Sequence, residues 1–332
     1  MNLRRSMRQL LFGASFISVC ACALYGADEK NLEAARKEGA VSFYSTMAAT
    51  ESKLLADAFQ VKHPYLKVEI TRLGSEKLLQ RMLTEHRAGR GLSDVVSNSG
   101  FEMHVLNKAR LLARYQSPDF NAFVADSKDR AGYWVDMYSN VRVVTYNTRL
   151  VPKEKVPRSY EDVLDPVWKG AIGFPEGQYA WYGTTLRVMG EEKGRQFMQA
   201  LARQELQYRA SQVLITQFVA AGEFNLGFVY DNQVLRFKKQ GAPLGVAPLP
   251  FVTKNMHPLG LAAAAPHPNA GKLFIDFMLS RETQTLMKNL GRVVSRSDIP
   301  QDDLGRSKMI ADDITLADRL NPLMEEYKKY FQ

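Results

Sequence analysis

Five histidines are the first candidates for chemistry: His63, His86, His104, His257 and His267. None falls in an H-E-x-x-H pair that would set two imidazoles on one helix face around a metal, and three sit beside a proline or at a helix end. No G-x-S-x-G elbow presents a serine nucleophile, and the two cysteines, Cys20 and Cys22, lie in the apolar N-terminal stretch. Catalysis would need separated Ser, His and Asp side chains to converge in space. The sequence offers binding chemistry instead. Small hydroxyl, amide and glycine groups recur where a strand gives way to a helix: Ser45 and Thr46, then Gly74 and Ser75, then Ser97, Asn98 and Ser99. Further along come Gln178 and Tyr179 in the loop Glu176-Gly177-Gln178-Tyr179, then Ser211, then Tyr230 with Asn232. Open α/β sheets take ligands outside the carboxyl ends of their strands, where helix N-termini offer free N–H groups.

Each of these positions has a local alternative. Thr50 and Ser75 suit helix caps, each stabilising by about 1 kcal/mol without a ligand. Asn98 and Ser99 suit a turn. Tyr179, Trp181 and Tyr182 suit packing, and Glu176 suits a solvated loop. A Glu176 that faced the ligand would favour an amine or zwitterion over a bare phosphate, so the sign of the ligand's charge stays open.

The elements that must position these groups alternate from residue 31 onward. A short helix over Asn31 to Glu38 closes at Gly39, and Val41 to Tyr44 reads as a strand. The next helix carries Leu54, Leu55, Ala58 and Phe59 on one face until His63-Pro64 stops it. Leu66 to Ile70 is a second strand, a helix with Leu78, Leu79, Met82 and Leu83 follows, and Asp94 to Val96 is a third strand. This order argues for a mostly parallel sheet with helices on its faces. A second set begins with a long β-branched strand over Asn140 to Asn147, followed by a strand over Ala171 to Phe174. Helices over Gly183 to Gly190, Lys193 to Arg203 and Val213 to Ala221 come next, and then a strand over Phe224 to Tyr230. After Gly241, Pro243, Pro248, Pro250 and Pro258 punctuate an extended segment that leads to a strand over Leu259 to Ala265. Helices over Ala270 to Leu279, Thr283 to Leu290 and Asp318 to Tyr330 complete the chain. The chain thus returns to its first lobe after building a second, and two crossings are what a hinge requires. The expected division is 24–138 for the first lobe, 139–252 for the second, 253–295 for the return, and 296–332 for a helical segment packing on the lobes.

The N-terminus reads as a secretory signal. Arg4, Arg5 and Arg8 precede an uncharged run from Leu10 to Tyr25, with Ala21-Cys22-Ala23 as a small-x-small cleavage site before Asp28 and Glu29. Residues 1–23 are the expected leader, and no later stretch reaches the ~20 apolar residues of a membrane span. A free periplasmic protein without thiols is expected, with lipidation at Cys22 in Val19-Cys20-Ala21-Cys22 as the alternative. The formal charge is +9, and losing the three leader arginines leaves 41 basic against 35 acidic residues. That excess is scattered in runs of at most two, which argues against nucleic acid as a partner. About 309 residues remain, and 45% hydrophobic content supplies two cores.

Four stretches carry a family likeness: Glu38-Gly-Ala-Val-Ser-Phe-Tyr-Ser45; Phe59-Gln-Val-Lys-His-Pro-Tyr-Leu-Lys-Val68; Leu150-Val-Pro with Ser159-Tyr-Glu-Asp-Val-Leu-Asp-Pro-Val-Trp-Lys-Gly170; and Pro258 to Met287. In this order the sequence resembles the periplasmic solute-binding proteins of ABC importers, in the subgroup of ferric-iron, thiamine and polyamine binders. The resemblance implies an α/β, two-lobe periplasmic-binding-protein fold of type 2, each lobe a mostly parallel sheet flanked by helices and joined by a two-segment hinge. It implies a small polar solute captured in the cleft by a monomer, delivered to a permease in the inner membrane, with no cofactor. In some relatives the loop matching 176–179 holds an anion. The ferric binders carry an adjacent tyrosine pair after the strand matching Leu226 to Val229. Here Tyr230-Asp231-Asn232-Gln233 stands there, with neutral amides at the pair's positions, and Ser45-Thr46-Met47 stands where those proteins place a histidine. Amides are poor ligands for a hard trivalent cation, so no metal site is expected. A periplasmic sensor, a direct ferric binder and an enzyme on the same scaffold are the alternative readings.

Overall fold

The computed structural model describes residues 31–300 and 307–331. The expected leader, its cleavage site and both cysteines lie outside the described residues. A helix over 31–38 (α1) ends at Gly39, whose φ of +70° is the left-handed turn the sequence called for. There follow β1 (Ala40–Ser45), α2 (Ala49–Lys62), β2 (Lys67–Arg72), α3 (Ser75–Arg87), β3 (Val95–Ser97), α4 (Gly100–Lys108) and β4 (Leu112–Ala113). The long β5 (Val135–Asn147) leads to β6 (Ile172–Pro175), α5 (Tyr179–Met189), α6 (Glu191–Ala202), β7 (Gln207–Arg209), α7 (Gln212–Ala221), β8 (Leu226–Tyr230), α8 (Asp231–Lys239) and β9 (Leu244–Val246). The second long strand, β10 (Phe251–Ala262), precedes α9 (Pro268–Leu279), α10 (Arg281–Asn289), β11 (Lys308–Ala311) and α11 (Leu320–Lys328).

The strand order is β2-β1-β3-β10-β5-β8-β6-β7. β1 lies parallel to both β2 and β3, and β6 lies parallel to both β7 and β8. Between these two sets run β5 and β10, antiparallel to each other and to β8 and β3 respectively. Each strand therefore serves two lobes. The ladder shifts register between His257 and Pro258, where a residue without an N–H interrupts the pairing.

Alternation along the strands builds a core on each face of each set. In the first lobe Val41, Phe43 and Val95 pack with Leu55, Phe59 and Phe274, while Tyr44 and Val96 face Leu78, Met82, Met103 and Leu106. In the second lobe Val144, Phe174, Leu226 and Phe228 pack with Trp181 and Tyr182, while Val141, Val143 and Val229 face Ile215 and Val219. Gly173 and Gly227, paired across β6 and β8, let α7 sit close. A Cβ at either would lie 2.7 and 2.9 Å from the Ile215 methyl.

Several sequence expectations need correction. Thr50 and Ser75 are not caps: α2 is preceded by Ala48 and α3 by Gly74, neither with a capping side chain. The helix expected over 183–190 begins four residues earlier, so Tyr179, Trp181 and Tyr182 are helical rather than in a loop. Trp181 and Tyr182 are fully buried core residues. The strand expected over 140–147 starts at Val135, because its polar residues Asp136, Ser139 and Asn140 find partners inside the fold. The C-terminal stretch touches both lobes. Ile314 fills the space left by Gly100, and Asp318 pairs with His104 and Lys108 of α4 at 3.0 and 2.9 Å. Leu316, Leu323, Tyr327 and Phe331 join the core around Trp181.

Candidate functional site

The two parallel sets point their carboxyl ends at each other. β3 ends with Ser97 opposite Leu259, and β8 ends with Tyr230 opposite Arg142, itself paired with Thr253. Six residue steps along β10, from Thr253 to Leu259, separate those two ends, about 20 Å at ~3.4 Å per residue. The interval is a cleft floored by the β5–β10 ladder. Its paired residues Asn140 with Asn255 and Tyr138 with His257 are uncommonly polar for strands between two cores.

A hydrogen-bonded chain crosses this floor. Arg292, in the turn after α10, donates to Glu51 of α2 at 2.7 and 3.1 Å and to the Asn140 Oδ1 at 2.7 Å, with its guanidinium 4.7 Å from the Tyr138 ring centre. The Asn140 amide is oriented by that bond, so its Nδ2 donates to His257 Nε2 at 3.0 Å. The His257 proton therefore sits on Nδ1, facing the Thr46 hydroxyl at 3.4 Å. His257 stacks on Tyr138 at 4.4 Å, and burial, with Arg292 and Arg142 nearby, pushes its pKa down to about 3. It is a neutral hydrogen-bonding group near neutrality, with Nδ1–H as donor and Nε2 as acceptor.

On the second lobe's side Arg142 is held by Asp312 at 2.8 and 3.0 Å, by Gln178 Oε1 at 3.2 Å and by Thr253 Oγ1 at 3.3 Å. Its guanidinium lies 5.6 Å from the Tyr230 ring centre, and the Tyr230 hydroxyl accepts from Asn255 Nδ2 at 3.5 Å. Asp231, the first residue of α8, accepts from the Val141 N–H at 3.1 Å. Burial pushes its carboxyl up to about 6, a shift that the Val141 bond and the charge of Arg292 only partly offset.

The residues singled out in the sequence divide into three groups. Thr46, Gln178 and Tyr230 belong to the polar network on the floor, and Asn232 stands beside Asp231, its Oδ1 accepting from Gln233 at 3.2 Å. Ser45, Gly74, Ser75, Asn98 and Ser99 gather on the first lobe's carboxyl edge. There Ser45 accepts from the Met47 N–H, Asn98 bridges Ser75 O and the Ser99 N–H, and Ser99 donates to the half-buried Glu102. The third group has local employment: Ser211 caps α7 through the Leu214 N–H at 3.5 Å, and Tyr179 packs edge-on against Tyr327 at 5.0 Å. Sequence reasoning missed Glu51, Asn140, Arg142, Asp231, Asn255, His257 and Arg292. Asn140 and Arg142 were visible as polar breaks in a β-branched run, whereas His257 was set aside for its place beside Pro258.

The pattern shared by bacterial extracellular solute-binding proteins matches residues 55–317. The chain belongs to this family. Curated relatives include an uncharacterised protein of Haemophilus influenzae, 26% identical over 173 residues, covering 49% of this chain and 50% of that one. The Fe(3+)-binding periplasmic protein of Serratia marcescens is 22% identical over 201 residues, covering 60% and 59%. The chain thus spans little more than half the length of the curated relatives it matches. Among solved solute-binding structures, iron-bound HitA of Pseudomonas aeruginosa superposes with a TM-score of 0.75 at 18% identity, covering 88% of this chain and 99% of that one. AfuA of Actinobacillus pleuropneumoniae, with fructose-6-phosphate bound, gives 0.72 at 22% identity over 88% and 98%. These likenesses establish the type 2 periplasmic-binding fold. Among the described residues no helix is long and apolar enough to cross a membrane, and no group of three His, Cys, Asp or Glu side chains is arranged to hold a metal.

Proposed function

We propose that this solute-binding protein is the extracytoplasmic capture component of an ABC importer, closing its lobes over a small polar solute and presenting it to the inner-membrane permease. The observation that carries the reading is the cleft itself: two carboxyl edges face each other across a polar floor, and both lobes and both crossing strands supply hydrogen-bonding groups. Thr46, Asn140, Gln178, Tyr230, Asp231, Asn232, Asn255 and Arg292 are its contact set, with Ser45, Gly74, Ser75, Asn98 and Ser99 as the first lobe's rim. Residues 24–138 and 253–295 form one moving body and 139–252 the other, with 296–332 packed across them. Residues 1–23 direct the chain to the periplasm, where it acts as a monomer.

The chemistry of the floor supports a reading of binding rather than turnover. Its histidine is neutral, and its arginines are engaged by Glu51 and Asp312. Ferric iron, which the Serratia relative and HitA bind, is disfavoured here on the donor set. Asn232 and Gln233 are neutral amides, and the Arg142 guanidinium beside the Tyr230 ring opposes a trivalent cation at its phenolate.

The test is small-angle scattering on the purified protein, with and without a solute it retains in equilibrium dialysis. A smaller radius of gyration at saturation and recovery of the solute unchanged are expected. Superimposable curves would remove the hinge, and a converted solute would make the protein an enzyme.

A further inference from the structure

The charges around the floor do not cancel. Arg142 is taken up by Asp312, and Arg292 makes its contacts to Glu51. His257, wedged between Tyr138 and the Asn140 amide, contributes no charge. Asp231 is then a carboxylate at the edge of the floor without an ion-pair partner among the described residues, whereas Asp136 beneath the floor is satisfied by Ser139, Ser295 and the His257 N–H. The charge of Arg292 reaches Asp231, but Arg292 already sits on Glu51, so one guanidinium faces two carboxylates. Among the described residues no lysine, arginine or histidine nitrogen reaches Asp231 within ion-pair distance, and the residue is half-buried. Closure of the lobes would take this carboxylate further from water, which is costly without a counter-ion. A ligand that brings a positive charge removes that cost; one that brings a negative charge adds to it.

The acceptor balance points the same way. Beside Asp231 in the first turn of α8, the Gln233 Oε1 is buried without a donor. In the same lobe the buried Gln212 Oε1 at the start of α7 also lacks one, in a small cavity it shares with Arg142 and Gln178. Two side-chain oxygens at the second lobe's helix starts are thus acceptors in want of a donor.

We propose that the solute carries a protonated amine, received by the Asp231 carboxylate at the mouth of α8, with the Asn255 and Asn140 side chains beside it on the cleft floor. The assignment rests on the solute-binding reading above and names the class of ligand for that site. It also separates this cleft from that of a neighbour of known ligand, since AfuA binds a sugar phosphate.

The experiment uses the purified full protein and a series of four-carbon probes alike in length and unlike in charge: 1,4-diaminobutane, 4-aminobutyrate, 1,4-butanediol and succinate. To these are added a mixture of polar amines, organic acids and sugar phosphates, and ferric citrate alone. Equilibrium dialysis with mass-spectrometric readout identifies what is retained. The expected result is that retained compounds carry an ammonium group. Asp231→Asn, which keeps an oxygen for the Val141 N–H and so preserves the fold, should weaken their retention by about 10- to 100-fold. Glu51→Ala, which returns Arg292 to the cleft as a free cation, should weaken it as well. Retention of succinate, a sugar phosphate or iron in preference to the amines would overturn the proposal and leave the solute-binding reading standing. So would amine retention indifferent to Asp231→Asn. Retention of no compound at all would count against the solute-binding reading itself.

Discussion

Replacing Asp312 with alanine isolates what the buried ion pair behind the cleft floor contributes. Asp312 follows β11 and its side chain is 3% exposed, while that of Arg142 is 11% exposed. The alanine variant leaves a guanidinium in a protein interior with only Gln178 and Thr253, at 3.2 and 3.3 Å, to hold it. Breaking a buried pair from one side costs about 3–5 kcal/mol, because the remaining charge is desolvated without compensation. The two surviving hydrogen bonds put this case toward the lower value. Unfolding entropy near 2.1 cal/mol/K per residue gives a chain of this size roughly 0.6 kcal/mol/K, so the melting temperature should fall by about 5–8 °C. Calorimetry on four proteins reads it: wild type, Asp312→Ala, Arg142→Met, and the double variant Arg142→Met with Asp312→Leu. Hydrophobic replacement of both partners removes the stranded charge, so the double variant should recover most of the loss. A single-variant drop below about 2 °C, or a double variant no better than Asp312→Ala, would refute the reasoning.

Three further outcomes follow from the same geometry. Asp136 is fully buried, accepts from Ser139, Ser295 and the His257 N–H, and burial pushes its pKa up to about 6. Between about pH 4 and 6 the folded state then holds a proton that the unfolded state has lost, so stability rises as pH falls through that window, by roughly 3 kcal/mol. Urea unfolding at pH 4 and 7 should show Asp136→Asn without that gain relative to wild type; parallel profiles would contradict the assignment. Ferric citrate should produce no phenolate-to-iron charge-transfer band, and a visible band abolished by Tyr230→Phe would reverse the reading of the donor set. Ser75→Ala should leave the melting curve within about 0.5 kcal/mol of wild type, since Ser75 caps nothing and its carbonyl keeps the Asn98 bond. Solute affinity should fall by roughly 2- to 100-fold if the hydroxyl lies on the rim as proposed. Unchanged affinity in calorimetry would confine binding to the Tyr230 and Asn232 side.

Much of the fold was legible because its signals are local. Alternation in Val41 to Tyr44, the stop at His63-Pro64 and the turn at Gly39 each depend on a few neighbouring residues, and each matches the structure. The strand-end rule located Thr46, Gln178, Tyr230 and Asn232 for a similar reason: strand direction alone decides which loops share an edge. The rest of the site escaped because it depends on residues distant in sequence. Asn140, His257 and Arg292 meet only through the β5–β10 pairing and the turn after α10, and Glu51 joins them from the first lobe. Ser211 and Tyr179 had the right place in the order of elements, but a cap and a packing contact engaged them first.

By itself, then, the sequence determined the alternation of strands and helices and the apolar faces that form the cores, which follow from periodicity and residue type, while its family likeness rests on the stretches that resemble solute-binding proteins. The tertiary structure decided the electrostatics of the cleft. Arg142 and Arg292 are two positive charges in the chain. Long-range folding brings Asp312 across 170 residues and Glu51 across 241 to neutralise them, and leaves Asp231 half-buried without an ion-pair partner among the described residues. A charge's sign is written in the chain. Its partner, its solvation and hence its chemical effect depend on distances that only the folded protein sets.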